Sequence, residues 1–91
     1  MLTLDAALRI PDYVMFTTDS EDSVLLNART DQYYALDEVG ARLWSLLNDR
    51  KPLREVYQVL LDEYEVAPVQ LEQDMLELLN HLLENGLVES V

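Results

Sequence analysis

Tyr33-Tyr34-Ala35-Leu36-Asp37-Glu38-Val39-Gly40-Ala41-Arg42-Leu43-Trp44 changes its period in the middle, and that change decides the fold. Up to Leu36 the run is aromatic and apolar, the composition of a strand. From Asp37 onward Val39, Leu43, Leu46 and Leu47 recur at helical spacing, with Trp44 beside them. Asp37 suits a helix N-cap, and Glu38 in the first turn complements the helix dipole. Gly40 costs about 1 kcal/mol of helix propensity, which points to close packing against a strand.

Upstream, Tyr13 to Thr18 is β-branched and aromatic and predicts a strand; the polar run Asp19 to Asp22 predicts a loop. Ser23 to Ala28 reads as a second strand and Arg29 to Gln32 as a turn before the third, Tyr33 to Leu36. Links this short favour an antiparallel three-stranded meander. Residues 1–12 have weak pattern and read as an arm or short strand of one domain spanning residues 1–91. Downstream, the first helix ends near Asn48 to Arg50. Pro52 opens a second helix with Val56, Val59, Leu60 and Tyr64 apolar, and Glu65-Val66-Ala67 links it to a third. That helix runs from Pro68 to Asn85, with Gly86 placed for a left-handed cap and Leu87-Val88 as an apolar tail. Three strands followed by three helices make an α+β domain with the helices on one face of the sheet, the second and third helices fitting a helix-turn-helix.

On a helical projection Leu71, Met75, Leu78 and Leu82 form one stripe and Leu76, Leu79 and Leu83 a second beside it. The apolar arc is wider than the ~100° needed to cover a core. Either neighbouring elements wrap the helix or part of the arc faces a groove.

The 91 residues carry 18 acids and 6 bases, a net charge of -12, and no Lys or Arg follows Arg54. Nucleic-acid binding draws on Lys and Arg to displace counterions from phosphates, so DNA and RNA are poor partners. No cysteine is present, which removes disulfides and thiolate chemistry. No apolar run is long enough for a membrane span and the N-terminus does not read as a signal peptide, so a cytoplasmic protein is expected.

Catalytic motifs are missing. No Gly-x-Ser-x-Gly elbow occurs, and Gly40 and Gly86 cannot form a phosphate loop. His81 shares a helix face with Glu77 and Glu84, but one histidine is a poor basis for zinc, and a solvated polar face explains the spacing better. Asp62, Glu63 and Glu65 read as exposed acids with ordinary pKa values. No enzyme activity, metal or cofactor is expected. Among the aromatic residues, Tyr34 and Leu36 share one face and Tyr33 and Ala35 the other; Trp44 reads as core.

The run from Tyr33 to Trp44 resembles the signature of PqqD-like proteins, the recognition elements for ribosomally made precursor peptides. Leu53-Arg54-Glu55-Val56, Asp74-Met75, Leu78-Leu79 with Leu82, and Gly86-Leu87-Val88 continue the likeness in order, over about residues 12 to 89. Trp44 and Tyr64-Glu65-Val66 look most like the stand-alone members of lasso-peptide biosynthesis. Asp31-Gln32 departs from the glycine relatives often have there, which leaves the turn type open.

The resemblance implies a winged helix-turn-helix fold whose third strand accepts an extended leader peptide by β-augmentation, beside the third helix. Carried over by position, the strand contribution falls on Tyr33, Tyr34, Ala35 and Leu36, and the helix contribution on some of Leu71, Asp74, Met75, Leu78 and Leu79. The implied partners are the precursor leader, a papain- or transglutaminase-like leader peptidase, and an ATP-dependent, asparagine-synthetase-like cyclase. Two other readings are a winged-helix transcription regulator, disfavoured by a third helix without Lys or Arg, and an acidic adaptor docking by charge.

Overall fold

The computed structural model describes residues 2–19 and 22–91. Ser20 and Glu21, in the expected loop Asp19 to Asp22, lie outside the described residues, as does Met1. Strands β1 (Leu8–Arg9), β2 (Val14–Asp19), β3 (Asp22–Asn27) and β4 (Gln32–Leu36) precede helices α1 (Glu38–Asn48), α2 (Leu53–Glu63) and α3 (Pro68–Glu84), and β5 (Glu89–Ser90) follows. β2, β3 and β4 form an antiparallel sheet in that order, each within a residue of its expected bounds.

The register places Phe16, Leu25 and Tyr34 across from one another on the helix-covered face, where Leu25 is fully buried. Met15, Leu26 and Tyr33 share the opposite face, with Tyr33 72% exposed. The hairpin between β3 and β4 turns through Asp31 at φ 58°, the left-handed region that aspartate tolerates better than most residues. No glycine is needed.

Each helix start follows from its first residues. Asp37 accepts the Gly40 N–H at 2.7 Å, capping α1 directly after β4. A Cβ on Gly40 would meet Asp37 Oδ1 at 3.1 Å and a Leu36 methyl at 3.3 Å, so the strand-to-helix corner has little room for a side chain. Pro52 and Pro68 open α2 and α3, where a missing N–H costs nothing. The α3 terminus closes with Gly86 at φ 71°, its N–H on the Leu83 carbonyl and the Leu87 N–H on the Leu82 carbonyl. That is the Schellman pattern.

The core joins Leu25 and Leu36 to Leu43, Trp44 and Leu46 of α1, Val56 and Leu60 of α2, and a row on α3. That row is Leu71, Met75, Leu79 and Leu82; Leu76, Leu78 and Leu83 are half-buried. The projection left open which part of the arc faces the core; the core row draws Leu71, Met75 and Leu82 from one expected stripe and Leu79 from the other, and Leu78 is half-buried.

The C-terminal residues do more than an apolar tail. Leu87 and Val88 are buried at 2% and 1% exposure, and β5 pairs antiparallel with β1, Leu8 opposite Ser90. Val91 N–H donates to the Ala7 carbonyl at 3.0 Å and Arg9 pairs with Glu89 at 2.7 Å. Asn27, 4% exposed, joins the sheet to the end of α3. Its Nδ2 donates to the Asn85 carbonyl at 3.3 Å and its Oδ1 accepts the Arg29 N–H at 3.0 Å. Asn27→Ala should therefore cost about 1–2 kcal/mol, the penalty of leaving both partners short of a bond; chemical denaturation of the two proteins measures it.

Candidate functional site

Strand β4 is an edge. Among the described residues its second side pairs with no strand. The phase of its backbone follows from one bond at the far side of the sheet, where Ala28 N–H donates to the Tyr13 carbonyl at 2.9 Å. Alternate residues of a strand turn their polar groups to opposite sides. Ala28, Leu26 and Val24 hence face β2, while Asn27, Leu25 and Ser23 face β4, opposite Gln32, Tyr34 and Leu36. Tyr33 and Ala35 are left with N–H and C=O groups directed at open space, the arrangement that accepts another strand.

A cleft of about 520 Å³ runs between this edge and α3. Tyr34, Ala35 and Leu36 line one side. Gln70, Asp74 and Leu78, one turn apart, line the other, with Leu71 and Met75 between the two. Val39, Leu43, Leu60 and Val66 extend it past the strand, under the start of α1. Gln70 Nε2 donates to Asp74 Oδ1 at 2.8 Å and steadies that carboxylate on the rim. Asp37 also lines the cleft, with its carboxylate engaged at the helix cap. Among the described residues no Lys or Arg lines it.

The structure brings Tyr34, Ala35, Leu36, Leu71, Asp74, Met75 and Leu78 to one cleft. Tyr33 contributes its backbone to the edge, but its side chain lies on the sheet's other face. Leu79 is fully buried, about 100° around the helix from Leu78, and belongs to the core, not the cleft. Val39, Leu43, Leu60 and Val66 were not foreseen, because each has the helical spacing or apolar character of an ordinary core residue. The only signal for them was the excess of apolar positions over what one small core uses.

Two contacts hold the helices around the cleft. Arg42 of α1 grips Glu63 of α2 through Nε at 2.8 Å and Nη2 at 2.7 Å, and Tyr57 donates to the Pro68 carbonyl at 3.1 Å across the turn into α3. The Arg42 hydrogen bonds lower the Glu63 pKa below its ordinary 4.5, a correction to the ordinary value expected of this acid. Tyr64 is shifted upward by desolvation, then by the charges of Glu38 and Glu63. Among the described residues no group of three or more His, Cys, Asp or Glu could hold a metal ion, and no helix is long and apolar enough to cross a membrane.

Sheet, helix-turn-helix and open edge together define a winged helix-turn-helix protein with a cleft between its strands and its last helix. The chain belongs to the PqqD family: the family model described as coenzyme PQQ synthesis protein D matches residues 22–88. Two solved structures share the fold at 30% identity or more. TbiB1 in complex with the TbiA(beta) leader peptide is 34% identical, with a TM-score of 0.83 over 89% of this chain and 94% of that one. A lasso peptide synthetase B1 complexed with the leader peptide is 30% identical, with a TM-score of 0.83 over 92% and 99%. Among curated proteins the sequence search finds no match.

The Arg42–Glu63 fork predicts a pH effect. A carboxylate whose pKa is lowered on folding adds stability above its ordinary pKa and loses that stability as the pH falls through the folded value. Glu63→Gln should lower the melting temperature at neutral pH, and the gap should close in acid below the ordinary carboxylate range.

Proposed function

We propose that this protein captures the leader segment of a ribosomally made precursor peptide by strand addition and has no catalytic role of its own. The outward backbone groups of Tyr33 and Ala35, set beside an apolar cleft, carry this reading. An incoming extended chain satisfies its own N–H and C=O groups on that edge while every second side chain enters the cleft. Both solved relatives are complexes with leader peptides, which supports the same ligand class here.

Tyr34, Ala35, Leu36, Leu71, Asp74, Met75 and Leu78 are the residues assigned to the leader, with Tyr33 acting through its backbone alone. The Asp74 carboxylate on the rim suits a backbone N–H or a basic side chain. Once loaded, the protein presents the precursor to a papain- or transglutaminase-like leader peptidase and an ATP-dependent cyclase. The sheet face bearing Met15 and Tyr33 remains uncovered when the cleft is filled, so a second protein can approach the loaded form. A transcription regulator fits less well, since a helix entering a DNA groove needs cations that α3 does not have.

The test uses a peptide selected from a displayed random library and labelled with fluorescein, together with the labelled TbiA(beta) leader. Ala35→Pro removes one outward N–H without touching the β3–β4 ladder, a place where an edge strand tolerates proline. Asp74→Arg reverses the rim charge. Each should weaken binding at least tenfold while circular dichroism and melting stay close to the parent. Equal binding by Ala35→Pro and the parent would rule out strand addition.

A further inference from the structure

Tyr34 lines a second cavity as well as the cleft. This neighbour, about 330 Å³, lies toward the hairpin and the end of α3, and its lining is polar: Asn27, Gln32 and Asn85, with Tyr33, Tyr34 and Leu87. We infer that the cleft continues past Tyr34 into this polar compartment, which selects a neutral hydrogen-bonding side chain of the bound peptide. The inference rests on the leader-binding reading and deepens it.

Length comes first. From Gln70 at one end to Asn85 at the other, α3 rises about 22 Å at 1.5 Å per residue. An extended peptide at about 3.3 Å per residue covers that distance with roughly seven residues. Five-residue β4 alone would not account for such a footprint.

Register sets the spacing. Gln32, Tyr34 and Leu36 share the cleft face, so peptide residues opposite them also turn inward. The position opposite Leu36 meets the apolar end, near Leu43 and Leu71. The position opposite Gln32, four residues away, meets the polar compartment.

Chemistry sets the class. Asn27 uses one Nδ2 proton on the Asn85 carbonyl and one Oδ1 lone pair on the Arg29 N–H, keeping one donor and one acceptor. Asn85 Nδ2 donates to the His81 carbonyl at 2.8 Å, which leaves its Oδ1 as an acceptor. An amide or hydroxyl matches both kinds of group. An apolar side chain would shut water away from them without replacing its bonds. A carboxylate would meet no cation among the lining residues, in a protein of net charge -12. Lysine offers donors alone.

The experiment is a positional scan of the fluorescein-labelled peptide selected by the parent protein. Apolar residues should be preferred at one inward position. At the position four residues away, Asn, Gln, Ser or Thr should bind at least tenfold more tightly than Leu or Asp. Gln32→Leu, at an exposed strand position whose backbone ladder is unchanged, should narrow that preference at least threefold and leave the apolar position as it was. A parent that keeps the apolar preference but treats Asn and Leu alike at the second position overturns the inference and spares the leader reading; so does a Gln32→Leu variant with an unaltered scan. If the library yields no binding peptide, the leader reading itself fails.

Discussion

A strand edge that no described residue pairs with is the feature on which the site depends. Among the described residues no strand pairs with the outward N–H and C=O groups of Tyr33 and Ala35, which water or a second chain can satisfy. Exposed edges invite wrong pairings, and proteins usually blunt or cover them. Here the N-terminal arm is a segment within the same molecule that could have filled the gap. It is committed elsewhere: β1 pairs with β5, and Arg9 and Ala7 bond to Glu89 and Val91. Pairing β1 with β5 holds this arm away from the β4 edge.

The edge alone would recognise any extended peptide. Selectivity comes from what lies next to it, and that is settled by how α3 is placed. The Schellman turn at Gly86 sends Leu87 and Val88 into the core, while Asn27 fastens the sheet to the Asn85 carbonyl. At the other end Asp37 starts α1 without a loop after β4, so Val39 and Leu43 continue the cleft directly beyond the strand. With these anchors fixed, the row Leu71, Met75, Leu79 and Leu82 closes the core, and one flank of the same helix, Gln70 to Leu78, stands free beside β4.

Much of this was legible in the sequence, for reasons that can be named. The change of period at Asp37, the proline starts of α2 and α3 and the glycine after α3 are local signals, and each element formed where they lie. The pairing of β1 with β5 was hidden because two residues show no periodicity and their partners are at opposite ends of the chain. Which of Leu78 and Leu79 faces the cleft was left open for another reason. A helical projection gives the width of an apolar arc but not which flank the neighbours cover. Val39, Leu43, Leu60 and Val66 were lost to the same ambiguity, since a cleft lined with core-like side chains looks like core until the backbone is laid out. Glu63 kept its secret because its partner Arg42 is on another helix.

Charge then limits what an apolar cleft with a free backbone edge can attract. Four of the six basic residues, Arg9, Arg42, Lys51 and Arg54, are paired with carboxylates, while Arg29 lies over the Tyr13 ring at 4.8 Å. Exposed pairs of this kind add little to stability. They do leave the field of the molecule strongly negative, and the cleft lining itself adds only the carboxylates of Asp37 and Asp74, with no cation among the described residues. An acidic chain is therefore repelled at a distance, and a neutral or basic one is not. Strand addition as proposed would draw on backbone bonds and apolar contact, which salt screens weakly. The long-range field thus sorts candidates by charge, and the short-range cleft by the pattern of alternate side chains.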